Sequence, residues 1–275
     1  MILVNGHETT MLSTEDRGLL YGDGVFETMV VQDGCILCLD RHLQRLCRGC
    51  ERLRMPAPSM EAIREEVTQV AQKKGLGIVK LLCTRGGGNR GYAPPQHTSG
   101  TRVVGSYSWP ESVDPWAIHG LRMMTCSTRL GINPDLAGIK HMNRLEQVLG
   151  AAEVTAAEVD EGLMLDGEQR VVEGTMSNLF AVMNGALVTP RLSRCGVAGI
   201  VREIIIERAT QFIDTEVQVA DIDRIDLDDA DEIFMTNSVI GVCPVTTLDE
   251  QERSIGSLSR SLMSALQTNG FVAKR

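Results

Sequence analysis

The stretch LAGIKHMNRLEQ, residues 136–147, is the place from which this sequence is best read. Its lysine, Lys140, follows small and apolar residues, a setting that draws a side-chain amine out of water. A desolvated lysine gives up its proton readily and becomes an amine nucleophile suited to Schiff-base chemistry, whereas an exposed one is a solvated cation. Further on, VVEGTMSNLF (171–180) sets Glu173 behind two β-branched residues and ahead of a glycine. A carboxylate placed there needs a cationic partner, and a structural ion pair is the alternative reading.

GVAGIVRE (196–203) puts a glycine-containing turn ahead of the apolar run IVREIIIERATQF. The unpaired amides of such a helix start form a ready phosphate cradle. An amine at Lys140, a carboxylate at Glu173 for a pyridinium nitrogen, this cradle and an arginine at Arg45 are together what pyridoxal phosphate requires of a protein.

The rest of the chain fits a two-part α+β protein. Over 275 residues it is 43% hydrophobic and 23% charged, an ordinary globular composition. A net charge of -9 argues against nucleic-acid binding, because no broad basic field faces phosphates. The N-terminus carries no cationic, apolar leader and no run approaches ~18 apolar residues, so a cytoplasmic protein without a membrane partner is expected.

MILVNG reads as a strand, and RGLLYGDGVFETMVVQDGCILCL as two strands joined at Gln32, Asp33 and Gly34. Asp40 is the expected N-cap of a helix through Leu53, with Leu43, Leu46, Cys47, Cys50 and Leu53 on one face and Arg41, Arg45, Arg48 and Arg52 on another. Ser59 caps a second helix, and strands at IVKLLC and TRVVGSYSW flank the glycine-rich RGGGNRGYAPP. The aperiodic WPESVDPWAIHG suggests a small N-terminal domain over 1–112, a linker over 113–120 and a larger C-terminal domain over 121–275. That second part predicts a strand at LRMMTCS, a helix from about His141 to Glu158, a hairpin turning at Asn184-Gly185, strands in DEIFMTNSVIGVCPV and a closing helix at SLSRSLMSALQTNG.

CILCLDRHLQRLCRGC (35–50) offers two Cys-x-x-Cys pairs and hence a zinc alternative. In a strand, Cys35 and Cys38 point to opposite faces, and Cys47 and Cys50 share the apolar helix face. The expectation is no metal, with the eight cysteines reduced and used as small hydrophobes.

With DRGLLYGDGVFET, HLQRL, TRGGGNRGY, LAGIKHMNRLEQV, EGTMSNLF, GVAGIVRE and the TNS…PV segment in this order, the chain resembles the fold type IV pyridoxal-phosphate enzymes, the group that holds the branched-chain and D-amino-acid aminotransferases. The resemblance implies a homodimer whose Lys140 carries the Schiff base and serves as general acid and base. It implies that Glu173 pairs with the pyridine nitrogen, and that Arg45, the amides of Ile200 and Val201 and the side chain of Asn237 hold the phosphate. KHMNRLEQV points to a member that cleaves 4-amino-4-deoxychorismate to 4-aminobenzoate and pyruvate, a step of folate biosynthesis; a transaminase is the alternative. For that dicarboxylate, Arg90, Tyr92, Tyr21 and Asn143 are the candidate substrate residues.

Overall fold

The computed structural model describes residues 1–275 apart from Lys73, Asn89, His97 and Arg275. Two compact units share the chain: Met1–Trp109 with Ile139–Asn143, and Pro110–Gly138 with Arg144–Arg275. Residues 113–120, expected as a linker, are instead mostly a helix within the second unit. Pro115 is compatible with that helix because it stands in the first turn, where no intrahelical amide bond is lost.

The first unit contains β1 (Ile2–Val4), β2 (His7–Glu8), α1 (Arg17–Tyr21), β3 (Gly24–Gln32), β4 (Cys35–Ile36), α2 (Leu39–Arg52), α3 (Met60–Ala71), β5 (Leu76–Thr84) and β6 (Thr101–Ser108). The strands form an antiparallel sheet in the order β2-β1-β6-β5-β3-β4. Asp33 and Gly34 both take positive φ, 52° and 75°, and close β3 onto β4 as a two-residue turn, one residue shorter than expected because Gln32 is paired with Cys35. Alternate residues of β3, Val25, Met29 and Val31, pack with Leu43 and Leu46 of α2 and Ile63 and Val67 of α3 in one buried cluster. Gly49 allows α2 to come close: a Cβ there would lie 3.0 Å from Val25 Cγ1.

Two helix starts differ from the sequence reading. The residue that precedes α2 is Cys38, in the left-handed region at φ 54°, and Asp40 lies inside the first turn. A carboxylate there still suits the positive end of the helix. The helix expected from His141 begins only at Leu145. Residues 139–143 are extended because their backbone is taken by β3, through Phe26 N–H to Lys140 O at 3.0 Å and Met142 N–H to Gly24 O at 2.9 Å.

The second unit contains α4 (Val113–His119), β7 (Leu121–Leu130), α5 (Leu145–Ala156), β8 (Glu161–Asp166), β9 (Val171–Gly174), β10 (Asn178–Met183), β11 (Ala186–Pro190), α6 (Ile200–Ile213), β12 (Val217–Ala220), a 3₁₀ turn (Arg224–Leu227), β13 (Glu232–Asn237), β14 (Gly241–Leu248), β15 (Gln251–Glu252) and α7 (Ser257–Thr268). Its mixed sheet runs β12-β11-β10-β13-β14-β7-β8-β9, with β15 paired to β14. Asn184 and Gly185 turn the β10–β11 hairpin with φ 50° and 76°. Directly opposed Phe180 and Phe234 stack at 5.2 Å in the core.

Candidate active site

In the first unit the candidate side chains stand on β3, on α2 and on the segment Ile139–Asn143. Lys140 is half-buried, with its Nζ 4.5 Å from the centre of the Phe26 ring. The next inward position of β3 is Glu27, a fully buried carboxylate on an otherwise apolar face. Its oxygens accept hydrogen bonds from Arg45 Nε at 2.8 Å and from Arg45 Nη2, and one lies 2.6 Å from His42 Nδ1. His42 and Arg45, three apart, share the sheet-facing side of α2.

Of the arginines expected on one face of α2, Arg45 is buried, while Arg48 and Arg52 are exposed. Burial would push Glu27 up, but the Arg45 guanidinium and the His42 ring hold it down at about 2. His42 is pulled below the usual imidazole range by its burial, against the pull of Glu27. Sequence reasoning missed Glu27 and His42. The available signal was a glutamate at an inward register position of an apolar strand.

The four substrate candidates are also in this unit. Tyr21 and Tyr92 meet with ring centres 5.4 Å apart, and the Tyr21 hydroxyl accepts the Gly91 N–H at 3.3 Å. Arg90 and Tyr92 are exposed. Asn143 lies by the end of α1, donating to Gly22 O at 3.1 Å. Gly22 is needed there, with φ 64° and a virtual Cβ 2.6 Å from Asn143 Oδ1.

In the second unit Glu173 is buried at the end of β9. Its Oε2 accepts the Val197 N–H at 2.8 Å and Asn178 Nδ2 at 3.3 Å, and its Oε1 faces Gln147 Nε2 at 3.4 Å. Two arginines feel this carboxylate. Burial lowers both Arg144 and Arg202, the latter to about 10, and Glu173 pulls each back up.

Asn178 also donates to Val197 O at 2.8 Å and touches the start of α6, where a Cβ on Gly199 would lie 2.0 Å from its Oδ1. Gly199 provides no side-chain cap, so the first amides of α6, Ile200 and Val201, have no partner inside the helix. Asn237 is occupied by its own turn: Oδ1 accepts the N–H groups of Val239 and Ile240, both at 2.8 Å, and Nδ2 donates to Met176 O at 3.1 Å. Beside it, Thr236 is fully buried with a hydroxyl that has no hydrogen-bond partner among the described residues. Thr236 opposes Asn178 in the β10–β13 ladder, so both point to one face of the sheet. Asn178 and Thr236 were missed because nothing in their local sequence sets them apart.

These residues fit pyridoxal phosphate. The second unit offers a buried, oriented carboxylate, a helix start kept bare by a glycine that a methyl group would fill, and an orphaned hydroxyl; the first offers a lysine amine on an aromatic face. The cysteines belong elsewhere: burial pushes Cys38 to about 11 and Cys50 to about 12, and Cys47 lies 3.4 Å from the sulfur of Met60. Among the described residues no group of three or more His, Cys, Asp or Glu is arranged to hold a metal.

Comparison with known proteins agrees with this chemistry. The crystal structure of 4-amino-4-deoxychorismate lyase from Pseudomonas aeruginosa superposes with a TM-score of 0.93 at 44% identity, covering 98% of this chain and 100% of that one. An aminodeoxychorismate lyase of Vibrio harveyi is 36% identical over 98% of this chain and its own full length. A putative branched-chain-amino-acid aminotransferase of Methanocaldococcus jannaschii is 31% identical over 91% of this chain and 88% of its own. Residues 24–248 match the family described as amino-transferase class IV, and the chain belongs to that family, with its α+β, fold type IV architecture.

Proposed function

We propose that the protein is a pyridoxal-phosphate-dependent aminodeoxychorismate lyase, converting 4-amino-4-deoxychorismate to 4-aminobenzoate and pyruvate in folate biosynthesis. The observation that carries this reading over a transaminase is the full-length likeness to the Pseudomonas lyase, at 44% identity and a TM-score of 0.93. When bound, pyridoxal phosphate supplies an electron sink for the carbon that bears the substrate amine.

The chain's residues do the rest. Lys140 would hold the cofactor through its Nζ, and in turnover that nitrogen would take the proton from the substrate carbon that bears the amine. It then returns a proton to the departing enolpyruvyl methylene, which yields pyruvate as the ring becomes aromatic. The Phe26 ring, 4.5 Å from this nitrogen, gives the amine an aromatic face to rest on. Glu173, fixed by Val197 and Asn178, keeps a proton on the pyridine nitrogen. Ile200 and Val201 amides bind the phosphate with Arg45, whose Nε and Nη2 are anchored on Glu27, and with the turn of Asn237. Arg90, Tyr92, Tyr21 and Asn143 receive the substrate and its two carboxylates.

The working form is a homodimer, a reading supported by the exposed apolar Leu145, Val148 and Leu149 along α5. A cytoplasmic location is consistent with eight free thiols; among the described residues no helix is long and apolar enough to cross a membrane.

Purified protein mixed with 4-amino-4-deoxychorismate is expected to release pyruvate and 4-aminobenzoate in equal amounts. Lys140→Ala is expected to abolish both products and the visible absorbance of lysine-bound cofactor. Amino transfer to a 2-oxo acid without pyruvate release overturns the proposal.

A further inference from the structure

In the glycine-rich loop Gly87, Arg90, Gly91 and Tyr92 are exposed, and glycines of themselves leave a backbone many courses. A buried arginine reaches this loop. Arg17, in α1, is 4% exposed, and every nitrogen of its guanidinium is engaged. Nε donates to Asp23 Oδ2 at 2.8 Å, Nη1 to Gly91 O at 3.0 Å and Nη2 to Tyr92 O at 2.9 Å. The plane of the guanidinium covers the Tyr21 ring at 4.8 Å, whose hydroxyl accepts the Gly91 N–H. The Arg17 backbone N–H, in turn, donates to Gly86 O at 2.9 Å, at the other end of the loop.

The anchor is itself anchored. Asp23 is also gripped by Arg85, through Nε at 2.7 Å and Nη2 at 3.0 Å, and Arg85 donates to Leu53 O and Arg54 O just past α2 at 2.9 and 2.8 Å. Asp23 is pushed up by burial and brought below the usual carboxylate range by the two arginines, so it stays a charged post. With its charge neutralised there, Arg17 contributes geometry: a planar fork that two backbone carbonyls fit and a lysine ammonium does not.

We propose that Arg17 is the positioning residue for substrate binding: by fastening Gly91 and Tyr92 it presents Arg90 and Tyr92 to the carboxylates of the substrate. This rests on the lyase reading above, and the test separates the two.

In holoenzyme, Arg17→Lys keeps the charge beside Asp23 and removes the fork. It is expected to raise KM for 4-amino-4-deoxychorismate about tenfold with little change in kcat or in cofactor absorbance, since misplacement away from the reacting atoms costs orientation. It is also expected to speed trypsin cleavage of the Arg90–Gly91 bond, followed by mass spectrometry. Adding Arg17→Lys to Arg90→Ala should raise KM by clearly less than Arg17→Lys does in the wild-type protein, because part of its effect passes through Arg90.

Tyr21→Phe, which removes one acceptor for the Gly91 N–H and keeps the ring beside Arg17, should shift cleavage in the same direction by less, and this readout, which is independent of substrate, serves if Arg17→Lys does not fold. Unchanged cleavage, or KM effects that multiply in the double variant, overturn the proposal. If the wild-type protein releases no pyruvate, the lyase reading fails, while the cleavage measurement still reports on the clamp.

Discussion

Glu27 sets the pH response of the first unit. Its carboxyl is held at about 2 in the folded chain against an ordinary 4.5, so the unfolded chain binds the extra proton as acid is added. The stabilisation is present above pH 4.5 and is lost as pH falls toward 2, worth about 3 kcal/mol across that window. His42, whose folded value lies below 6.5, acts in the same sense: it takes up a proton on unfolding, and stability declines as pH drops below 6.5. Glu27→Gln is expected to erase the loss between pH 4.5 and 2 in urea titrations. It should also cost about 3–5 kcal/mol at neutral pH by leaving the Arg45 charge buried without its partner. An unchanged slope below pH 4.5 would show that Glu27 does not carry the effect.

At the start of α6 the requirement is steric. Gly199 has an ordinary φ of -72°, yet a Cβ there would collide with Asn178, which orients Glu173. Gly199→Ala should therefore destabilise the protein by about 1–3 kcal/mol and loosen cofactor retention on dialysis. Gly75→Ala, where a Cβ meets nothing within 4 Å, is the control expected to do neither. Elements built from local signals were legible beforehand: the Asp33-Gly34 and Asn184-Gly185 turns, the apolar stripes of α2 and α3, and the glycine turn before α6. What escaped was non-local. The expected helix from His141 gave way because Gly24 and Phe26 claim that backbone. Arg45 is buried, unlike Arg48 and Arg52, because a carboxylate eighteen positions earlier lies inside the sheet. Asn237 shows the same limit, its amide being taken by Val239, Ile240 and Met176.

For the whole molecule, the apolar row on α5 has an assembly consequence. Leu145, Val148 and Leu149 are 78%, 61% and 57% exposed at i, i+3 and i+4, more apolar surface than one helix face ordinarily shows to water. If the proposed homodimer forms through this row, Val148→Glu should shift the protein toward monomer in sedimentation, and a wild-type protein that sediments at 30.0 kDa would refute the proposal. The excursion of residues 139–143 into the first unit bears on synthesis as well. A nascent chain that has emerged only through Trp109 still lacks the backbone that pairs with Gly24 and Phe26, and residues 110–138 must be translated before it arrives. The segment that completes the first unit also bears Lys140, the amine proposed to hold the cofactor, so on the ribosome that amine and the finished fold of the unit become available together.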